Sequence, residues 1–149
     1  MKVLAGIIAG NRSDLAVLEL AQDVLVEVNV PTEVIVLSDY PDPLEKLHIY
    51  AMSAERKGVE VIIAGESDQP YLISLLTSIT SIPVIHVPIP GTDKKCSRIS
   101  DWQNSGTGSP FITTNPGDAH VAGLWAAQKL AADHWPIYNT LEKLRNHAP

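Results

Sequence analysis

Short runs of Val, Ile, Leu and Ala recur along the chain, with longer amphipathic stretches between them. The runs fall at residues 3–9, 34–37, 61–64, 84–87 and 111–113. They are continuous rather than alternating, which reads as strands buried on both faces, the pattern of a parallel sheet covered by helices. After the first run, Val17, Leu18, Ala21, Val24, Leu25 and Val28 share one helical face, and Glu19, Gln22, Asp23 and Glu27 lie opposite. This predicts a sheet-covering helix from Leu15 onward, with Ser13 as its N-cap and Asp14 in its first turn. A second helix is expected over Pro43–Lys57, with Pro43 suited to the first turn and Gly58 to the C-cap. A third is expected over 71–80. Strands alternating with helices give a doubly wound α/β domain with right-handed crossovers.

Two segments break this rhythm. Residues 88–110 are polar and contain Gly91, Gly106 and Gly108, and loops of that length inside a compact domain tend to be functional or mobile. The helix expected over 119–132 is apolar nearly all round, with the small residues Ala122, Gly123, Ala126, Ala127 and Ala131. A helix of this kind is buried on more than one side. One face is expected to cover the sheet and the other to meet a second subunit, which predicts a homo-oligomer. No internal repeat or low-complexity segment is visible.

Composition narrows the classes. A chain of 149 residues suits one well-cored domain. With 45% hydrophobic and 19% charged residues it has a globular balance rather than a disordered one. The formal net charge of −6 argues against a nucleic-acid partner, which needs a basic face; Lys and Arg are scattered along the chain. Cys96 is the single cysteine, so no disulfide framework or multi-thiolate metal site is expected. The first strand starts directly after Lys2, and no apolar run approaches a membrane span. The expectation is a cytoplasmic protein without membrane attachment.

Several familiar sites are absent: the phosphate loop, the dinucleotide G-x-G-x-x-G fingerprint, H-E-x-x-H and the G-x-S-x-G elbow. A phosphate-accepting receiver domain fails too, because the third strand exits as Gly65-Glu66-Ser67 and the fifth as Thr114-Asn115-Pro116. What remains is a ring of polar residues at the strand ends, where open α/β sheets bind ligands. Asn11, Arg12, Ser13 and Asp14 follow the first strand, Ser38, Asp39 and Tyr40 the second, and Glu66, Ser67 and Asp68 the third; His86 ends the fourth. The turn at Gly10 aims the free N–H groups of the next helix at the space above the sheet, a place that favours a phosphate. Each of these residues also has a bland reading, as a cap or turn former. His86 is either a satisfied core histidine or, if it reaches the cleft, a proton carrier. His48, His120, His134 and His147 are expected to be solvated.

The stretch Gly6-Ile7-Ile8-Ala9-Gly10-Asn11-Arg12-Ser13-Asp14 resembles the G-I-[IV]-M-G-S-x-S-D opening of the PurE family, the aminoimidazole ribonucleotide carboxylases and carboxyaminoimidazole ribonucleotide mutases of purine biosynthesis. Val61-Ile62-Ile63-Ala64-Gly65 is similar to its V-I-I-A-G strand, and Pro83-Val84-Ile85-His86-Val87-Pro88 to its P-V-[IL]-G-V-P segment. Ala126-Ala127-Gln128-Lys129-Leu130 resembles its A-A-Q-I-L helix, so the likeness runs in register over residues 3–132. It implies a single flavodoxin-like three-layer αβα domain over 1–149, with a five-stranded parallel sheet, a C-terminal helical extension over 133–149 and assembly into an octamer.

The resemblance also implies a small nucleotide as ligand and carboxyl transfer as chemistry, with no cofactor and no metal. On its pattern Ser13 and Asp14 contact phosphate and ribose, Ser38 contacts phosphate, and Asn11 stands at a phosphate-binding serine. Gly10, Gly65 and Ser67 belong to the same ligand-facing turns. The family's S-A-H-[RK]-T-P reads Ser38-Asp39-Tyr40-Pro41-Asp42-Pro43 here. Tyr40 therefore stands at the proton-carrying histidine and Pro41 at a basic residue, a charge that Arg12 is placed to supply. Tyr40 or His86 is the candidate replacement carrier. Two functions stay open: an enzyme acting on aminoimidazole ribonucleotide or a related nucleotide, or an inactive homologue that binds nucleotide or serves as an oligomeric structural protein.

Overall fold

The computed structural model describes residues 2–67, 72–89 and 111–147. Five strands, β1 (Ala5–Ala9), β2 (Thr32–Val36), β3 (Val61–Gly65), β4 (Val84–His86) and β5 (Ile112–Thr113), form one sheet in the order β2-β1-β3-β4-β5. Every pairing is parallel, with Ile7 beside Val34 and Ile63, and Ala64 beside His86. The chain steps outward from β1 to β2, then returns past β1 to β3. The C-terminal ends of β1 and β3 therefore border the point where the winding reverses, where doubly wound sheets open a crevice.

Alternation along the strands splits the core into two layers. Ile7, Ile63, Ile85 and Val87 face helices α1 (Arg12–Glu27) and α4 (Ala119–Ala131), with α5 (Trp135–His147) packed behind. Ile8, Ile62, Ala64 and Val84 face α2 (Pro43–Lys57) and α3 (Leu72–Ile79). The architecture is the three-layer, flavodoxin-like αβα sandwich expected from the sequence. Among the described residues, no helix is long and apolar enough to cross a membrane.

Helix α2 has the bounds the sequence predicts, because both of its ends carry strong local signals. Asp42 caps it by accepting the Glu45 N–H at 3.1 Å, Pro43 opens it, and Gly58 ends it in the left-handed region at φ 101°. Helix α1 corrects the expectation. It starts at Arg12, and its cap is Asn11, not Ser13: Asn11 Oδ1 accepts the Asp14 N–H at 2.9 Å, while the Ser13 hydroxyl donates to the same oxygen. Strand β2 begins earlier than expected and stops at Val36, because Leu37 enters a short 3-10 turn, Leu37–Asp39.

Two further expectations change. The second buried face of α4 meets α1 and α5 of the same chain: the Cβ of any residue at Gly123 would sit 2.9 Å from both Ala21 O and Val24 Cβ. His134 is half-buried rather than freely solvated; its Nε2 lies 2.7 Å from Oε2 of Glu60, which also faces Lys129. His48 and His120 are exposed. Asp68, Cys96 and nearly all of the glycine-bearing 88–110 loop lie outside the described residues, as does the side chain of His147.

Candidate functional site

The site is assembled by backbone contacts between three strand exits. The Gly10 N–H donates to Gly65 O at 3.2 Å, extending the β1–β3 ladder, and the Ser38 N–H donates to Gly10 O at 3.0 Å. Asp14, only 1% exposed, ties the third exit in, because its Oδ2 accepts the Ser67 N–H at 3.2 Å. A carboxylate this buried is costly unless it is hydrogen-bonded. Asp14 therefore fixes the loop after β3 against the first turn of α1.

Between these exits lies a cavity of about 140 Å³ lined by Gly10, Asn11, Asp14, Leu37, Ser38, Pro43, Glu66 and Leu72. Of the residues singled out from sequence, Gly10, Asn11, Asp14 and Ser38 line it. A side chain at Gly10 would collide with Glu66, whose Cβ would lie 2.8 Å from the added carbon, so glycine lets the two loops close on one another. The apolar walls Leu37, Pro43 and Leu72 carry no chemical signal in the sequence and emerge only once the helices are packed.

Other singled-out residues sit around this cavity rather than on it. Gly65 is buried, and its bare Cα lets Val87 O and Leu18 approach. Ser67 contributes its backbone N–H to Asp14. Ser13 is exposed and bound to the Asn11 cap. Arg12, the first residue of α1, forms an ion pair with Asp39 at the end of the 3-10 turn. The charge expected to stand in for a basic residue at Pro41 is thus directed at a carboxylate.

The two candidate proton carriers have opposite settings. Tyr40 is exposed at the rim, with Lys46 Nζ 4.5 Å from its ring centroid; nothing in the spacing of the two along the sequence pointed to this cation. His86 is 2% exposed on the face shared with Val84, edge-on to Phe111 at 5.9 Å. Its Nδ1 is buried without a hydrogen-bond partner, so it is a core histidine but not a satisfied one. Burial pushes its pKa down to about 4, which leaves a neutral imidazole at pH 7. No group of three or more His, Cys, Asp or Glu among the described residues could hold a metal ion.

The AIR carboxylase family matches this chain over residues 4–148. The chain belongs to that family.

Relatives named N5-carboxyaminoimidazole ribonucleotide mutase are similar along nearly the whole AIR carboxylase domain. The Aquifex aeolicus protein is 39% identical over 88% of this chain and 78% of its own length. The Bacillus subtilis protein is 37% identical over 99% of this chain and 92% of its own. Two crystal structures of Treponema denticola PurE proteins share the fold, with TM-scores of 0.76 and 0.73 at 16% identity, covering 98% and 96% of this chain and 91% and 89% of theirs. The resemblance drawn from the opening motif and the V-I-I-A-G strand is thereby placed on the whole chain.

Proposed function

We propose that this AIR carboxylase family member transfers or removes a carboxyl group on aminoimidazole ribonucleotide or a closely related small nucleotide. One observation carries the reading: in a chain of this family, the cavity at the β1/β3 reversal is lined by Gly10, Asn11, Asp14 and Ser38, and the resemblance implies ligand contacts at the last three. Asn11 and Ser38 offer hydrogen bonds to phosphate oxygens, and the Asp14 carboxylate, with one oxygen held by Ser67, keeps the other for a ribose hydroxyl. A cavity of about 140 Å³ holds part of a nucleotide rather than all of it. The heterocycle would extend past the apolar walls toward the rim.

Either Tyr40 or His86 would carry the proton. His86 has one physical point in its favour: a buried nitrogen without a partner costs stability that an apolar side chain at that position would avoid. With a pKa of about 4 it would relay a proton as a neutral imidazole. Tyr40 has position, since it occupies the place of the family's histidine at the rim.

Assembly into a homo-oligomer, an octamer on the family pattern, goes with this reading, as does a cytoplasmic place of action. The apolar side chains of Val26 and Trp135, exposed by 62% and 68%, offer surface for subunit contact. The catalytically inactive homologue is not favoured over this reading. Turnover of carboxyaminoimidazole ribonucleotide, followed by absorbance in the native protein, Tyr40→Phe, Tyr40→His and His86→Ala, tests the proposal. Native activity that survives Tyr40→Phe and is lost in His86→Ala assigns the proton to β4. No turnover in the native protein or in Tyr40→His removes the enzymatic reading.

A further inference from the structure

The Arg12–Asp39 pair joins the two loops that carry the cavity's polar wall, each partner next in the chain to a lining residue. Arg12 follows Asn11 directly, and Asp39 follows Ser38; Asn11 and Ser38 both line the cavity. The loops are already held together beneath the pair by the Ser38 N–H to Gly10 O bond. The ion pair is therefore not needed to hold the wall in place. Both partners are exposed, Arg12 by 69% and Asp39 by 40% of their side chains, so water can solvate each when they separate. Lys46 is directed at the Tyr40 ring.

From this geometry we infer that Asp39 is a specificity-determining residue, which occupies Arg12 in place of the ligand's anionic group. A phosphate-bearing ligand must displace the Asp39 carboxylate from the guanidinium, whereas an uncharged nucleoside leaves the pair intact. The effect is a selective handicap on the anion: the site discriminates less between nucleotide and nucleoside than one with an uncommitted arginine would. This rests on the nucleotide reading above, and it names the residue that sets how strongly phosphate contributes. Breaking a solvent-exposed pair costs little, so the displacement is reversible and the expected effects are small.

Calorimetric titration with aminoimidazole ribonucleotide and with its dephosphorylated nucleoside, at low and physiological salt, tests the inference. Asp39→Asn should tighten ribonucleotide binding about two- to fivefold at low salt and less at higher salt, leaving the nucleoside unchanged. Arg12→Gln should weaken the ribonucleotide selectively, and in that background Asp39→Asn should give little gain. Equal gains with and without Arg12 would show plain charge repulsion by Asp39 and overturn the inference, as would an equal gain for the nucleoside. Native binding of the ribonucleotide with no change in Asp39→Asn overturns the inference and leaves the nucleotide reading standing. Binding of neither probe by any variant removes both.

Discussion

Between α1 and α4 the two helices meet over Gly123, and the residues buried there, Ala21, Leu25, Ala122, Ala126 and Leu130, are apolar. At the strand ends the sequence instead buries a carboxylate (Asp14), leaves an imidazole nitrogen bare (His86) and puts an ion pair (Arg12–Asp39) on the rim. The buried residues of the seam serve close packing. The strand ends hold a buried carboxylate satisfied by the Ser67 N–H, an exposed ion pair, and one buried nitrogen, His86 Nδ1, whose missing partner costs stability. A division of this kind is expected where one region holds the fold together and another performs the chemistry.

The division can be broken from either side. Leu25→Ala, at the seam, should have the largest effect, lowering unfolding free energy by about 2–5 kcal/mol in urea titrations while leaving ligand affinity per folded molecule unchanged. An equal loss of affinity would mean that the two regions are coupled.

Acid should expose His86 next. Its folded pKa of about 4 lies below the unfolded value near 6.5, so the unfolded chain takes up the proton first as pH falls. Stability from this residue is complete above about pH 6.5 and is lost as pH falls toward 4, by about 3 kcal/mol in all. His86→Leu should flatten that part of the pH–stability curve; an unchanged slope would place the acid sensitivity elsewhere.

Gly123→Val follows, at about 1–3 kcal/mol, because its side chain would press on the Ala21 carbonyl and Val24, which sit on backbone that cannot step aside cheaply. Asn11→Ala is the smallest in stability, about 1 kcal/mol for a lost helix cap, yet it should weaken nucleotide binding more than any of the seam substitutions. A pure stability change, with titrated affinity intact, would make Asn11 a cap and nothing more.

How much of this was legible in the sequence depended on how local the cause was. The ends of α2 could be read because Pro43 and Gly58 act through their own backbone. The start of α1 was misread by three residues, since Asn11 and Ser13 are both good caps and only the placed side chains show which oxygen accepts the Asp14 N–H. The small-residue stripe of α4 correctly announced burial on two sides but could not say by what; within the chain, the covering elements besides the sheet are α1 and α5. The polar half of the cavity was visible because strand-end residues converge in a doubly wound sheet. Its apolar half was not, since Leu37 and Leu72 look like any other core leucines. The pairing of Arg12 with Asp39 and the bare nitrogen of His86 depend on side-chain direction, which one-dimensional spacing does not fix.

On the proposed function, the reversal point between β1 and β3 receives a nucleotide. A crystal structure of the protein with aminoimidazole ribonucleotide tests it most directly. The ribose hydroxyls should lie against Asp14 and the phosphate beside Asn11 and Ser38. A ligand bound elsewhere, with that cavity still closed between Gly10 and Glu66, would contradict it.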